Sequence, residues 1–98
     1  MMHRFAITYD IASDSRRSRV REWLKRFGQW HQYSVFVCDL SPPQLLLVRG
    51  GLESMIEPGE DQILLFNLGP STGRARLATT CLGRVKRPDP TPAASFIY

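Results

Sequence analysis

Asp10 closes the run Phe5-Ala6-Ile7-Thr8-Tyr9-Asp10, and a cluster of arginines follows at Arg16, Arg17, Arg19 and Arg21. A carboxylate is a hard oxygen ligand for Mg²⁺ or Mn²⁺, and guanidinium groups match phosphate oxygens. An acid delivered by a strand beside a cationic helix therefore suits a metal ion held against a phosphate backbone. One carboxylate is a thin donor set. Mg²⁺ tolerates it because that ion keeps much of its hydration shell. Two copies of Asp10 brought together across a two-fold axis make a better site. The same acid equally suits a turn or a helix cap.

Other chemistries have less support. The spacings Asp-x-Asp, His-x-x-x-His and Cys-x-x-Cys do not occur. His3 and His31 are the two histidines, and neither has a metal-ligating partner at a recognisable spacing. Ser34 lacks the glycine-flanked turn of a nucleophile elbow. Tyr9, Trp30, Tyr33 and Phe36 could stack on bases, but core packing is the ordinary use of aromatics in strands. Arg74, Arg76, Arg84, Lys86 and Arg87 form a second basic group that could contact phosphates or simply solubilise an edge.

The elements that must position these residues follow from periodicity. Residues 3–10 alternate, with Phe5, Ile7 and Tyr9 on one side and Ala6, Thr8 and Asp10 on the other, as a strand does. Ser13 or Asp14 caps a helix that runs to about Phe27, with Val20, Trp23, Leu24 and Phe27 as its apolar stripe. Gly28 stands where a left-handed C-terminal residue is expected. Arg16 and Arg17 lie in the first turn, beside the end of the strand that carries Asp10. The later cations of this helix read as a solvated face.

Residues 29–39 are rich in aromatic and β-branched types and form one long strand or two short ones with a bend near Tyr33-Ser34. Ser41 caps a second helix with Pro42 in its first turn, and Leu45, Val48, Leu52, Met55 and Ile56 form its stripe. Gly50-Gly51 are expected to kink or fray it. Pro58-Gly59-Glu60-Asp61 is a turn. Gln62 to Leu68 reads as a central strand buried on both faces. Residues 74–82 read as a final edge strand, and residues 86–98, with Pro88, Pro90 and Pro92, as an extended tail outside a domain of residues 1–85. The order predicts an α+β, ferredoxin-like βαββαβ fold with two helices on one face of an antiparallel sheet. The opposite face, carrying Ala6, Thr8 and Phe36-type residues, is a natural dimer surface.

Composition agrees with a small globular domain. The 98 residues are 43% hydrophobic and 22% charged, with a formal net charge of +4. The charge is uneven: six of the thirteen basic residues lie between Arg16 and Arg26, and five between Arg74 and Arg87. That pattern fits a polyanionic partner. Cys38 and Cys81 sit in apolar runs and read as buried thiols in a reducing compartment. No run approaches a membrane span and no signal-peptide layout opens the chain, so the expected location is cytoplasmic.

Three segments in this order look like one family. Tyr9-Asp10-Ile11, then Arg16-Arg17-x-Arg19-Val20, then Gln32-Tyr33-Ser34-Val35-Phe36 resemble the CRISPR-associated Cas-two (Cas2) family, as does Pro58-x-Glu60-Asp61 before the last core strand. The resemblance spans roughly residues 3–82. It implies a ferredoxin-like homodimer with facing sheets, acting with the CRISPR integrase Cas-one in spacer acquisition. It also implies Mg²⁺- or Mn²⁺-dependent endonuclease activity on RNA or double-stranded DNA. Carried over by motif, Asp10 is the catalytic, metal-binding acid. Tyr9, Arg16, Arg17 and Arg19 are nucleic-acid-contacting or supporting positions, and Phe36 is a structural residue near the site. Where the family often carries a basic residue ahead of Gln-Tyr-Ser, this chain has Trp30-His31. The other reading of the same residues is a non-catalytic, basic ferredoxin-like module that binds nucleic acid.

Overall fold

A computed structural model describes residues 1–32, 34–72, 80, 82 and 83. The edge strand expected over 74–82 (save Thr80 and Leu82), the second basic group, Cys81, Tyr33 and the proline-rich tail lie outside the described residues. Within them, six elements follow in the order expected. They are β1 (His3–Asp10), α1 (Asp14–Leu24), β2 (Gly28–Gln32), β3 (Val35–Leu40), α2 (Pro42–Met55) and β4 (Gln62–Pro70). The sheet order is β2-β3-β1-β4, with each neighbouring pair antiparallel. This is the ferredoxin-like arrangement. No helix among the described residues is long and apolar enough to cross a membrane.

The alternation in β1 sorts the two faces. Ile7 lies opposite Phe36 on β3 and Leu65 on β4, and Phe5 lies opposite Cys38. Residues directly opposite in an antiparallel pair share a face. Phe5, Ile7, Tyr9, Phe36, Cys38 and Leu40 accordingly join Val20 and Leu24 of α1 and Val48 and Leu52 of α2 in one core. Both helices therefore cover the same side. Burying side chains of this size contributes about 1.5–3 kcal/mol each, offset by the chain entropy lost on ordering. The Cys38 thiol is buried there, and desolvation pushes its pKa up to about 12.

Four expectations need correction. Phe36 does not lie on the open face. It is fully buried under the helices, because its register partner is the inward-pointing Ile7. The open face instead carries Ala6 and Thr8 opposite Val37 and Val35, and opposite Phe66 and Leu64. Second, β4 is not buried on both sides. It is the edge of the sheet among the described residues, and Leu64 and Phe66 are 44% and 49% exposed. Its continuous apolar run arises because Ile63 and Leu65 face the helices while Leu64 and Phe66 face away.

Third, Gly28 does not close α1. The helix ends at Leu24 with Lys25 as its cap, and Gly28 opens β2. A Cβ on Gly28 would run into the Val37 carbonyl oxygen and lie 2.6 Å from the Cys38 sulfur, so the glycine permits close strand pairing. Fourth, α2 continues through Gly50 and Gly51 to Met55. A Cβ on Gly51 would meet the Trp23 indole. The missing side chain lets α1 approach, and Trp23 Nε1 donates to the Val48 carbonyl at 3.2 Å. Tertiary packing thus outweighs the weak helix propensity of two glycines. The segment 29–39 resolves into two strands, β2 and β3, paired antiparallel with an irregularity between Trp30 and Gln32.

Candidate functional site

Asp10 is the last residue of β1, paired in register with Gln62 of β4. Alternation places it on the side of Ala6 and Thr8, away from the helices, and it is exposed. Among the described residues no hydrogen bond or ion pair engages its carboxylate. Its neighbour Tyr9 points the other way, 5% exposed and 6.2 Å from the Phe36 ring centre. Burial raises the Tyr9 phenol pKa, with the nearby Arg21 and Arg17 charges acting against that. The side chains of Tyr9 and Phe36 both lie in the core beneath the helices.

The loop after Asp10 is short because Ser13 caps α1. Its hydroxyl accepts from the Arg16 amide at 3.3 Å, and its carbonyl from the Arg17 amide at 2.9 Å. That cap sets the first turn against the strand end and directs two guanidinium groups. Arg17 donates from Nη1 to Asp14 Oδ1 at 2.7 Å and from Nη2 to the Ile11 carbonyl at 2.9 Å. Its side chain is 44% exposed, so donors remain for an anion.

Arg16 is engaged internally. It donates from Nε to Asp61 Oδ2 at 2.8 Å, and from Nη2 to Asp61 Oδ1 at 3.2 Å and Glu60 Oε1 at 3.1 Å. Asp61 is fully enclosed, and the Arg16 guanidinium beside it holds its carboxyl well below the usual carboxylate range. This arrangement suits a supporting role for Arg16 and uses up much of its capacity to contact phosphate. Arg19 is exposed and lines a shallow groove between the helices with Trp23, Arg26 and Met55. The structure therefore places Asp10 on one side of the loop over residues 11–13 and Arg16 and Arg17 on the other, with Arg19 along the outer side of α1.

Sequence reasoning named Asp61 as a turn and motif residue but missed its bond to Arg16. It lies in a Pro-Gly-Glu-Asp turn, and a polar turn residue is ordinarily read as solvated. Its partner is 45 residues away in sequence, so no local signal identifies the pair. The other strong pair was equally hidden. Arg4 makes a two-pronged bond to Asp39, Nε to Oδ1 at 2.8 Å and Nη2 to Oδ2 at 3.0 Å, although Arg4 is only 4% exposed.

As a metal site, one chain is incomplete. Among the described residues no group of three or more His, Cys, Asp or Glu side chains converges. An exposed single carboxylate fits Mg²⁺ or Mn²⁺ as half of a shared site, not as a whole one.

The family model for CRISPR-associated protein Cas2 matches residues 2–76. The chain belongs to the Cas2 family. It is 37% identical over 82 residues to a Rhodospirillum rubrum protein named CRISPR-associated endoribonuclease Cas2 1, covering 84% of this chain and 79% of that one. It is 38% identical over 85 residues to the Thermus thermophilus CRISPR-associated endoribonuclease Cas2, covering 85% and 90% respectively. Among solved structures, Streptococcus pyogenes Cas2 aligns with a TM-score of 0.69 at 26% identity, over 82% of this chain and 99% of that one. A hypothetical protein from Thermus thermophilus aligns with a TM-score of 0.73 at 28% identity, over 91% and 100%. These two solved structures share the ferredoxin-like frame on which Asp10, Arg16 and Arg17 sit.

Proposed function

We propose that this Cas2 chain is a CRISPR adaptation protein that works as a nucleic-acid-binding homodimer with the integrase Cas-one, in the cytoplasm. We assign it a metal-dependent endonuclease chemistry, hydrolysis of phosphodiesters in RNA or double-stranded DNA. The observation that supports this most is the exposed Asp10 carboxylate, which has no partner among the described residues. It ends a core strand on the face left open by the helices, one short loop ahead of the helix turn that carries Arg17. An exposed acid with no hydrogen bond or ion pair among the described residues has no evident structural duty in one protomer.

The open face supplies the reason for two copies. Leu64 and Phe66 are exposed there next to the small residues Ala6 and Thr8. Stacking two such faces would remove apolar surface from water and bring Asp10 near Asp10 of the partner subunit. The two carboxylates would then hold Mg²⁺ or Mn²⁺, which supplies Lewis-acid polarisation of a phosphate oxygen and a more acidic bound water. Arg17, fixed by Asp14 and the Ile11 carbonyl, directs its remaining donors toward charge on the phosphoryl oxygens. Tyr9 and Phe36 hold the strand end from the core side, and the exposed Arg19 adds a salt-sensitive phosphate contact.

A non-catalytic binding module is the second reading, and the thin donor set favours it. Asp10→Ala separates the two. The expected result is loss of Mg²⁺-dependent cleavage, with the dimer mass and nucleic-acid affinity unchanged. Persistent cleavage by the variant would show that Asp10 does not carry the chemistry. Spacer acquisition measured with the same variant tells scaffold from chemistry: full acquisition means that the adaptation role needs only binding.

A further inference from the structure

We infer that Asp61, acting with Arg16, is a positioning residue that sets where β1 delivers Asp10. This rests on the assignment of the chemistry to Asp10 above. Four donors converge on one enclosed carboxylate. Asp61 Oδ1 accepts from the Ala12 amide at 3.0 Å and from Arg16 Nη2 at 3.2 Å. Its Oδ2 accepts from the Glu57 amide at 2.8 Å and from Arg16 Nε at 2.8 Å. Three parts of the chain meet there: the loop leaving β1, the first turn of α1, and the turn from α2 into β4. A carboxylate offers enough acceptor sites for all four donors, and no other side chain of this size does.

The position of Asp10 depends on this clamp because, among the described residues, no bond holds its own side chain. Asp10 pairs with Gln62, the residue after Asp61. Ala12, two residues after Asp10, is held by Asp61 itself. The segment Asp61-Gln62 thus grips the chain on both sides of Ile11, whose side chain is buried in the core. Arg17 adds a bond to the Ile11 carbonyl. Asp10 is therefore exposed but not loose. Preorganised placement of this kind matters most where two carboxylates must converge on one ion, since small displacements at a metal site are costly.

Asp61→Asn is the direct test. An amide keeps the shape but turns one acceptor oxygen into a donor, so either the Oδ1 pair or the Oδ2 pair of donors is left opposed by an NH₂ group. The expected result in the folded, dimeric variant is a kcat about 10-fold lower with KM for the nucleic acid within about twofold. The readouts independent of turnover are faster hydrogen exchange at the Ala12 amide and a shifted Asp10 backbone resonance. Arg16→Gln keeps the Ala12 and Glu57 bonds and is expected to move every readout in the same direction by less; it serves if Asp61→Asn does not fold. The inference is overturned if Ala12 exchange rises while the Asp10 resonance and kcat stay at their unaltered values. Should Asp10→Ala cleave as well as the unaltered protein, the assignment to Asp10 is what has failed. The Asp10 resonance and Ala12 exchange alone then decide the clamp.

Discussion

A Cβ placed on Gly50 meets nothing within 4 Å, while one placed on Gly51 lands against the Trp23 indole. Two adjacent glycines in one helix therefore answer to different physics. Gly50→Ala removes backbone entropy from the unfolded chain at no steric cost and should stabilise by about 0.5–1 kcal/mol. Gly51→Ala forces the indole away from its bond to Val48 and should destabilise by about 1–3 kcal/mol. Urea denaturation of the two variants reads both values. Shifts of the same sign would mean that α1 and α2 do not meet as closely as described. The residue scale also separates the acids. Asp10 is exposed with no partner among the described residues, whereas Asp61 is enclosed with four donors, and only the first is available to a ligand.

At the scale of elements, caps do much of the positioning. Ser13 fixes the start of α1 and with it the direction of Arg16 and Arg17. Ser41 does the same for α2, where its hydroxyl accepts from the Gln44 amide at 3.3 Å and the Gln44 side chain accepts from the Ser41 amide at 2.9 Å. Ser41→Ala should cost about 1 kcal/mol in stability, measured by denaturation, because it opens one half of that reciprocal cap. It should leave nucleic-acid affinity unchanged, since α2 follows Leu40, which pairs with His3 at the other end of β1 from Asp10. A loss of affinity larger than the loss of stability would tie α2 to the binding surface. The strands are matched by register rather than by propensity: Ile7 meets both Phe36 and Leu65, which joins three strands beneath the helices.

For the whole molecule, the open face and the carboxylates set the behaviour. Phe66→Glu places a charge on the exposed apolar surface next to Ala6. In the proposed homodimer it should shift sedimentation from dimer to monomer while leaving the circular dichroism spectrum intact; an unchanged dimer would place the interface elsewhere. Acid stability follows from Asp61 and Asp39, whose carboxyl pKa values are lowered by hydrogen bonds from Arg16 and Arg4 respectively. A lowered folded pKa gives stability that is present above the unfolded value of about 3.9 and disappears as pH falls through the folded value. Melting temperature should therefore hold from neutral pH to about 5 and fall steeply below about 4. Asp61→Asn should melt lower at neutral pH and lose stability less steeply in acid. An acid limb as steep as that of the unaltered protein would remove Asp61 from the account.

The order of elements, the inward set Phe5, Ile7 and Tyr9, and the cap at Ser41 were legible in the sequence because each is a local pattern, read over a few residues at a period of 2 or 3.6. The association of Asp10 with a cationic first turn was legible for the same reason: strand, loop and helix start lie within about ten residues. Tertiary structure alone decided the rest. It turned Phe36 inward through its register with Ile7, and it left Leu64 and Phe66 on an exposed edge. It made Gly51 a contact for Trp23 and enclosed Asp61 with Arg16. Each of these depends on which distant segment lies alongside, and a one-residue change of register would exchange the two faces of a strand without altering its hydrophobic pattern.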